Sequence, residues 1–445
     1  MRFVSTRGRE GVSLDEALLH GLASDGGLFL PEDLPLFAAD EFRHADSIAD
    51  TAAVLLRPFF AGSVLRGDLE QILEETFSFP VTTTRLPDES GHAELLELFH
   101  GPTAAFKDIG AGFLAACLGR LERDREMPLT ILVATSGDTG SAVAAAFDGR
   151  PGMQVVVLYP DGRVSERQAR QLTCWGDNVL SLAVDGSFDD CQTLVKRAMA
   201  DSGLAARYRF TSANSINIGR LLPQCSYYAH ASLTHYRSTG RKPGFIVPTG
   251  NLGNGLAAVL ARRMGLPIGE IVLATNANRL IVDYLQGAEW QPRASIRTLA
   301  SAMDVGHPSN MERLIELQGD AARLEQELRA ISVRDAEIKQ QIRDDFDAFG
   351  FATCPHTATA TFAWRRLPEN EKREHDWFIV ATAHPAKFEQ IVEPLIGQSV
   401  PLPQSLLAIL SRPARFVAIE PDLKSLAAVM AQTFQLDEAP VAGDK

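Results

Sequence analysis

Among the 445 residues, one lysine stands where a nucleophilic amine would be useful. Lys107 sits near the end of Phe99-His-Gly-Pro-Thr-Ala-Ala-Phe-Lys-Asp108, just inside a helix predicted to start after a Gly-Pro turn. An ordinary lysine is a solvated surface group. Here the chain runs on as Gly110-Ala-Gly-Phe-Leu-Ala-Ala-Cys-Leu118, a small and apolar stretch on which the amine could be partly buried. Burial disfavours the ammonium form and leaves an amine able to attack carbonyls and accept protons. A second segment, Pro248-Thr-Gly-Asn-Leu-Gly-Asn-Gly255, follows a strand pattern and precedes a helical one. Backbone amides in such a turn make a nest for one small anion. The segment lacks the Lys-Ser/Thr of a triphosphate loop and the glycine spacing of a dinucleotide fingerprint. A lysine suited to a Schiff base, together with a cradle for one phosphate monoester, points to pyridoxal phosphate. Either feature alone would be weak.

Three more polar turns carry candidate chemistry. In Ala134-Thr-Ser-Gly-Asp-Thr-Gly-Ser141, hydroxyls and amides open a helix. That is an anion site at a helix N-terminus, or simply a helix cap made by Ser136 or Asp138. Thr211-Ser-Ala-Asn-Ser-Ile-Asn-Ile-Gly-Arg220 gathers amides, a hydroxyl and an arginine, which suits a second anion or a polar loop with a surface cation. In Ala381-Thr-Ala-His-Pro-Ala-Lys387, Thr382 could offer a neutral hydroxyl to a ring nitrogen. His384 and Lys387 are candidate ligands there, though a histidine beside proline in a turn is more often structural. Cys354-Pro-His356 stands alone, without an HExxH or paired CxxC, so no metal is expected.

The elements that must position these turns are legible from about Glu94 onward. Strand-like runs occur at Leu129–Thr135, Gln154–Tyr159, Val179–Val184, Tyr208–Ser212, Phe245–Val247, Ile271–Thr275, Phe378–Thr382 and Phe416–Ile419. Helical patterns such as Ser141–Phe147, Phe188–Met199, Ile218–His230 and Leu256–Met264 alternate with them. This order predicts an α/β protein with two mostly parallel sheets flanked by helices and a ligand cleft between them. The first 85 or so residues read as helices and loops with little strand signal. Residues 311–348, including Leu324-Glu-Gln-Glu-Leu-Arg-Ala-Ile331, read as a solvated helix without chemistry, and Asp437–Lys445 as a frayed tail.

Composition sets the outer bounds. A 45% apolar and 22% charged chain of this length is an ordinary globular protein of two or three domains. The formal charge of −13 argues against nucleic acid or an anionic membrane as partner. Five scattered cysteines without a CxxC pair fit reduced thiols. With no signal-peptide pattern and no apolar run of membrane length, a cytoplasmic protein is expected, monomeric or dimeric and acting on a small molecule.

Together, Phe3-Val-Ser-Thr-Arg-Gly8, Gly21-Leu-Ala-Ser-Asp-Gly-Gly-Leu-Phe-Leu-Pro-Glu32, the Lys107 motif, Thr135-Ser-Gly-Asp-Thr-Gly140, Asn214-Ser-Ile-Asn217, the 248–254 loop and Thr382-Ala-His-Pro-Ala-Lys-Phe388 resemble threonine synthase. The resemblance extends over most of the chain and is to the longer, bacterial and fungal branch, within the tryptophan-synthase-β-like (fold type II) pyridoxal phosphate enzymes. It implies conversion of O-phospho-L-homoserine and water to L-threonine and phosphate, with Lys107 as the Schiff-base and proton-shuttling lysine. It also implies Gly250, Asn251, Leu252, Gly253 and Asn254 at the cofactor phosphate, Thr382 at the pyridine nitrogen and Asp138 near the 3-hydroxyl. Thr135, Ser136 and Thr139 would take the substrate's α-carboxylate, and Asn214, Ser215 and Arg220 are candidates for its phosphate. Two departures, His307 in Gly306-His-Pro-Ser-Asn310 and Leu252 where Phe is common, touch no group that the chemistry needs. The expected division is an N-terminal domain over 1–90, a discontinuous cofactor-binding domain over 91–120 and 215–445, and a smaller mobile domain over 121–214. A serine/threonine dehydratase-like or β-replacement enzyme of the same fold is the alternative, and a non-catalytic binder of pyridoxal phosphate or a phospho-ligand the remote one.

Overall fold

The computed structural model describes residues 1–87, 92–135, 137–318, 324 and 327–434. Its strands in chain order are β1 Phe3–Ser5, β2 Gly11–Val12, β3 Phe29–Pro31, β4 Thr82–Arg85, β5 Ala93–Glu97, β6 Leu129–Ala134 and β7 Met153–Pro160. They continue as β8 Val179–Val184, β9 Arg209–Ser212, β10 Gly244–Pro248, β11 Ile271–Thr275, β12 Leu328–Ser332, β13 Trp377–Ala381 and β14 Val417–Ile419. A six-stranded sheet has the order β12-β11-β10-β13-β5-β4, parallel except for the antiparallel edge strand β4. A five-stranded sheet, β14-β8-β7-β6-β9, is parallel throughout.

The two parallel sheets follow from the sequence pattern. Strands β6, β10, β11 and β13 are buried along their whole length, as strands covered on both faces must be, so they read as continuous apolar runs. Helices Gly253–Arg263 and Pro355–Arg365 pack on the larger sheet, and Asp138–Phe147 and Phe188–Ala200 on the smaller. One apolar core runs from Leu55, Phe59 and Phe60 near the N-terminus, through Phe113 on the lysine-bearing helix, to Val133 and Val247 in the two sheets.

The N-terminal region adds a small antiparallel sheet, β2-β1-β3, to its helices. Two expectations are corrected. The charged stretch 311–348 is interrupted by β12, which pairs in parallel with β11 as an edge strand. Its exposed side is satisfied by charge, since Arg329 is ion-paired with Glu270 and, at 2.7 Å, with Glu371. Residues 417–434, assigned to the larger domain from sequence, instead extend the smaller sheet: β14 pairs with β8, and Leu426 and Met430 enter its core. The tail Asp437–Lys445 lies outside the described residues, as does Ser136. No described helix is long and apolar enough to cross a membrane.

Candidate active site

Strands β5, β6, β9, β10 and β13 each end, at the carboxyl edge of their sheet, in one of the polar segments singled out above. That edge is where open α/β sheets bind ligands.

The lysine loop is locked before it reaches Lys107. Asp108 accepts from the Thr103 amide at 2.9 Å and its hydroxyl at 2.5 Å, and a side chain at Gly101 would meet the Asp108 carboxylate. Ala104 is held in the left-handed region (φ 54°), a conformation that a non-glycine residue adopts only when its surroundings enforce it. The enforcement is visible in the backbone. The amide of His384 donates to the Ala104 carbonyl at 3.0 Å and that of Phe106 to the Thr382 carbonyl at 2.9 Å. The lysine loop and the Thr382 turn are therefore one rigid piece.

Lys107 then begins the helix Lys107–Leu121. Burial pulls its pKa down to about 8; Asp138 opposes this, while Arg220 and Lys387 reinforce it. At the start of the helix Asp138–Phe147, burial works against the Asp138 carboxylate, but Lys387 and Lys107 outweigh it and hold the group well below the usual carboxylate range. Lys387 Nζ lies 2.9 Å from Asp138 Oδ1 and donates to the Thr103 carbonyl at 2.6 Å, with its side chain fully buried. His356 faces the same cluster; burial takes its pKa to about 4, and its Nε2 accepts from the Ala302 amide at 3.1 Å. His384 is likewise pushed down to about 4 by burial and accepts from the Ala386 amide at 3.2 Å, a structural role.

In the turn after β6, Asp138 is drawn to the lysines and Thr135 meets the backbone amides. The Thr135 hydroxyl accepts from the amides of Gly137 (3.0 Å) and Gly140 (2.9 Å), so it shapes the turn, while Thr139 stays half-buried. Gly137, with φ 141°, leaves room for Gln168 where a side chain would collide.

The loop after β10 is built in the same way. Leu252 takes φ 62° and the helix Gly253–Arg263 starts behind it. A side chain on Gly250 would approach the Met303 backbone to 2.6 Å, whereas Gly253 has only Asn310 and Ser215 beyond 3.5 Å. The Asn251 side chain ties Ser215 to the Ser309 amide, and Asn310 donates to the Asn251 carbonyl at 3.0 Å. Behind them the fully buried Arg313 bonds Asn310 Oδ1 and the Ile216 carbonyl, each at 2.6 Å. Asn251 and Ser215 thus brace the cradle through their side chains. Asn254 accepts from Tyr228 at 2.8 Å and also from Tyr227, but its Nδ2 is buried with no partner, as is Thr249 Oγ1.

Arg220 is brought beside the lysine helix, with its carbonyl and Nε occupying the space that a side chain on Gly110 would need. Burial lowers its pKa to about 10, Asp108 opposing, and its Nε has no partner. Asn214 is half-buried at the start of the same turn. Sequence reasoning missed Lys387 as a member of the Asp138 cluster, together with Asn310, Arg313 and His356. Asn310 had a signal in Gly306-His-Pro-Ser-Asn310, but Arg313 sat in a stretch read as solvated. Among the described residues no cluster of three His, Cys, Asp or Glu is placed to hold a metal ion.

These residues fit a pyridine aldehyde phosphate. A buried, partly deprotonated lysine faces the site, and two buried donors at a helix N-terminus wait unpaired for acceptors. Comparison with known proteins agrees. Residues 81–382 match the family model for pyridoxal-phosphate dependent enzymes, 2–77 the threonine synthase N terminus, and 357–430 the threonine synthase C-terminal region. Threonine synthase from Escherichia coli (strain K12) is 39% identical over 420 residues, 92% of this chain and 96% of that protein. The enzyme from Serratia marcescens is 39% identical over 399 residues, 89% and 91% of the two chains. A pyridoxal-phosphate-bound threonine synthase from Brucella melitensis superposes with a TM-score of 0.89 at 34% identity, covering 98% of this chain and all of that one.

Proposed function

This chain belongs to the threonine synthase family of pyridoxal-phosphate-dependent enzymes, and we propose that it converts O-phospho-L-homoserine and water to L-threonine and phosphate in the cytoplasm. The observation that carries the reading is a single carboxyl-edge site in which a buried lysine and two distinct sets of anion-binding groups converge.

In this reading Lys107 would bond the cofactor carbonyl, and the amides of 250–254 with Asn254 Nδ2 would hold its phosphate. Leu252 supplies the left-handed turn that aims those amides. Asp138 meets the 3-hydroxyl and Thr382 the ring nitrogen. The α-carboxylate of the substrate goes to Ser136 and Thr139, in a turn that Thr135 keeps open. Its phosphate goes to Arg220 with Asn214, and Ser215 anchors their loop.

Pyridoxal phosphate, when bound, supplies the electron sink for charge that develops beside the substrate's amino nitrogen. The protein does the rest. Lys107, whose pKa burial draws down to about 8, would take a proton from Cα and return protons later. Loss of phosphate from Cγ and entry of water at Cβ need the leaving dianion to be held while those protons move, which the Arg220 cation does. Thr382, a neutral hydroxyl, leaves the ring nitrogen without a proton donor strong enough to charge it.

Because the neutral amine is the nucleophile, capture of pyridoxal phosphate by the cofactor-free protein is expected to accelerate about tenfold per pH unit below about 8 and to level off above it. Stopped-flow absorbance against pH measures this, and a profile still rising steeply to pH ~10 contradicts the buried Lys107. The function itself is tested by following threonine and phosphate together from O-phospho-L-homoserine. Equal yields are expected. Phosphate with a 2-keto acid instead of threonine would replace the reading with an eliminating dehydratase-like enzyme.

A further inference from the structure

The Asp138–Lys387 pair is unusual for a group that only has to meet a hydroxyl. Both side chains are almost completely buried, and they come from different sheets: Asp138 follows β6, Lys387 the turn after β13. A carboxylate without its cation in such a place would take up a proton. Two lysines, Lys387 and Lys107, face the ionised carboxylate of Asp138, and Asp108, whose own carboxyl burial pushes up, is near enough to Lys387 for that cation to oppose the rise. The surroundings of Asp138 are therefore cationic in a protein of formal charge −13.

We propose that Lys387 is a positioning residue that keeps Asp138 ionised and fixes it beside Lys107, fastening the first turn of the Asp138 helix to the lysine loop through the Thr103 carbonyl. Its consequence for the cofactor rests on the reading that Asp138 meets the 3-hydroxyl. The partner of that hydroxyl is then a carboxylate held ionised beside a buried ammonium, and so an acceptor only. The groups facing Asp138 are Lys387 from the 382–388 turn, Lys107 from its own helix, His356 from the helix Pro355–Arg365, which is neutral above pH 4 or so, and the Cys354 thiol just before that helix, which burial pushes up. Among the described residues, Lys387 is the cation left facing Asp138 once Lys107 is bonded to the cofactor.

The test uses the cofactor-loaded protein with Lys387→Gln, which keeps a donor but removes the charge, and with Asp138→Asn/Lys387→Gln. In Lys387→Gln the buried Asp138 carboxyl should bind a proton at a pH where the unfolded chain, titrating near 3.9, does not. Folded protein then holds more protons than unfolded, so stability relative to the parent improves as pH falls. The melting temperature should be about 5 °C below the parent at pH ~8 and recover by at least half at pH ~5.5. The double variant should melt above the single one at the higher pH, with no such recovery. A deficit independent of pH would make Lys387 a mere tie to Thr103. A recovery that persists in the double variant would assign the proton to Asp108. Either overturns the proposal. Should the single variant not fold, a double variant that also fails overturns it, and one that folds supports it. Separately, loaded Asp138→Asn with an unchanged visible spectrum would sink the 3-hydroxyl assignment while leaving the pairing result intact.

Discussion

Replacing Lys107 with alanine is expected to lower kcat by at least roughly 10³-fold, because one amine serves as both nucleophile and base. The alanine variant should still take up pyridoxal phosphate, since the 250–254 cradle and Thr382 do not depend on the lysine. It should lose the covalent link: borohydride treatment of the loaded parent fixes the cofactor to the peptide containing Lys107, and treatment of the variant fixes none. Folding should survive. The buried ammonium is a cost to the native state, so its removal leaves the melting temperature unchanged or higher. A small exogenous amine should restore part of the lost rate. Full turnover in Lys107→Ala would overturn the assignment of the nucleophile.

The environment that makes Lys107 useful was only half legible in the chain. Its helix is small and apolar because it is buried, and that texture is in the sequence. The larger part of the environment comes from contacts between distant segments. Lys387 lies in a Thr-Ala-His-Pro-Ala-Lys turn whose composition fits a simple strand end. Only the pairing of β13 with β5, and the packing of the two sheets, brings it to Asp138. Arg313 was unreadable for a related reason. It lies among charged residues of a helix that is mostly half-exposed, yet its own side chain points inward to the Ile216 carbonyl.

The same contrast holds for the fold. Strands β8 and β11 match their predicted limits because a fully covered parallel strand needs a continuous β-branched run. The strands that escaped are mostly edges or very short, with β5, inside the larger sheet, the exception. β12 is half-exposed from Arg329 onward, β4 is an exposed antiparallel edge, and β1, β2 and β3 have three residues or fewer. An edge strand buries too little for its period to rise above the charged residues around it. The boundary at 417–434 was misassigned for this reason, since chain order does not reveal which sheet a late strand joins.

The Arg220 assignment leads to the second large effect. A guanidinium buried against the lysine helix, with Nη1 bonded to the Ala213 carbonyl, keeps its Nε–H open where charge is expensive to bury. Asp108 is near enough to raise its pKa but accepts from Thr103 instead, so the arginine's hydrogen-bonding capacity is not spent on that acid. A dianionic phosphate would complete it. Arg220→Gln keeps the size and a donor while deleting the charge, and is expected to reduce kcat/KM for O-phospho-L-homoserine by roughly 10²–10³-fold, the range for losing one buried charged contact. The split between constants locates the contact. If Arg220 holds the phosphate equally in ground and transition states, KM rises and kcat holds; if it stabilises the departing dianion, kcat falls as well. Inhibition by inorganic phosphate should weaken in parallel, while affinity for pyridoxal phosphate stays at the parent's value. A variant with undiminished phosphate inhibition and normal kcat/KM would move the substrate phosphate away from Arg220 and leave that arginine as the cation that offsets Asp108.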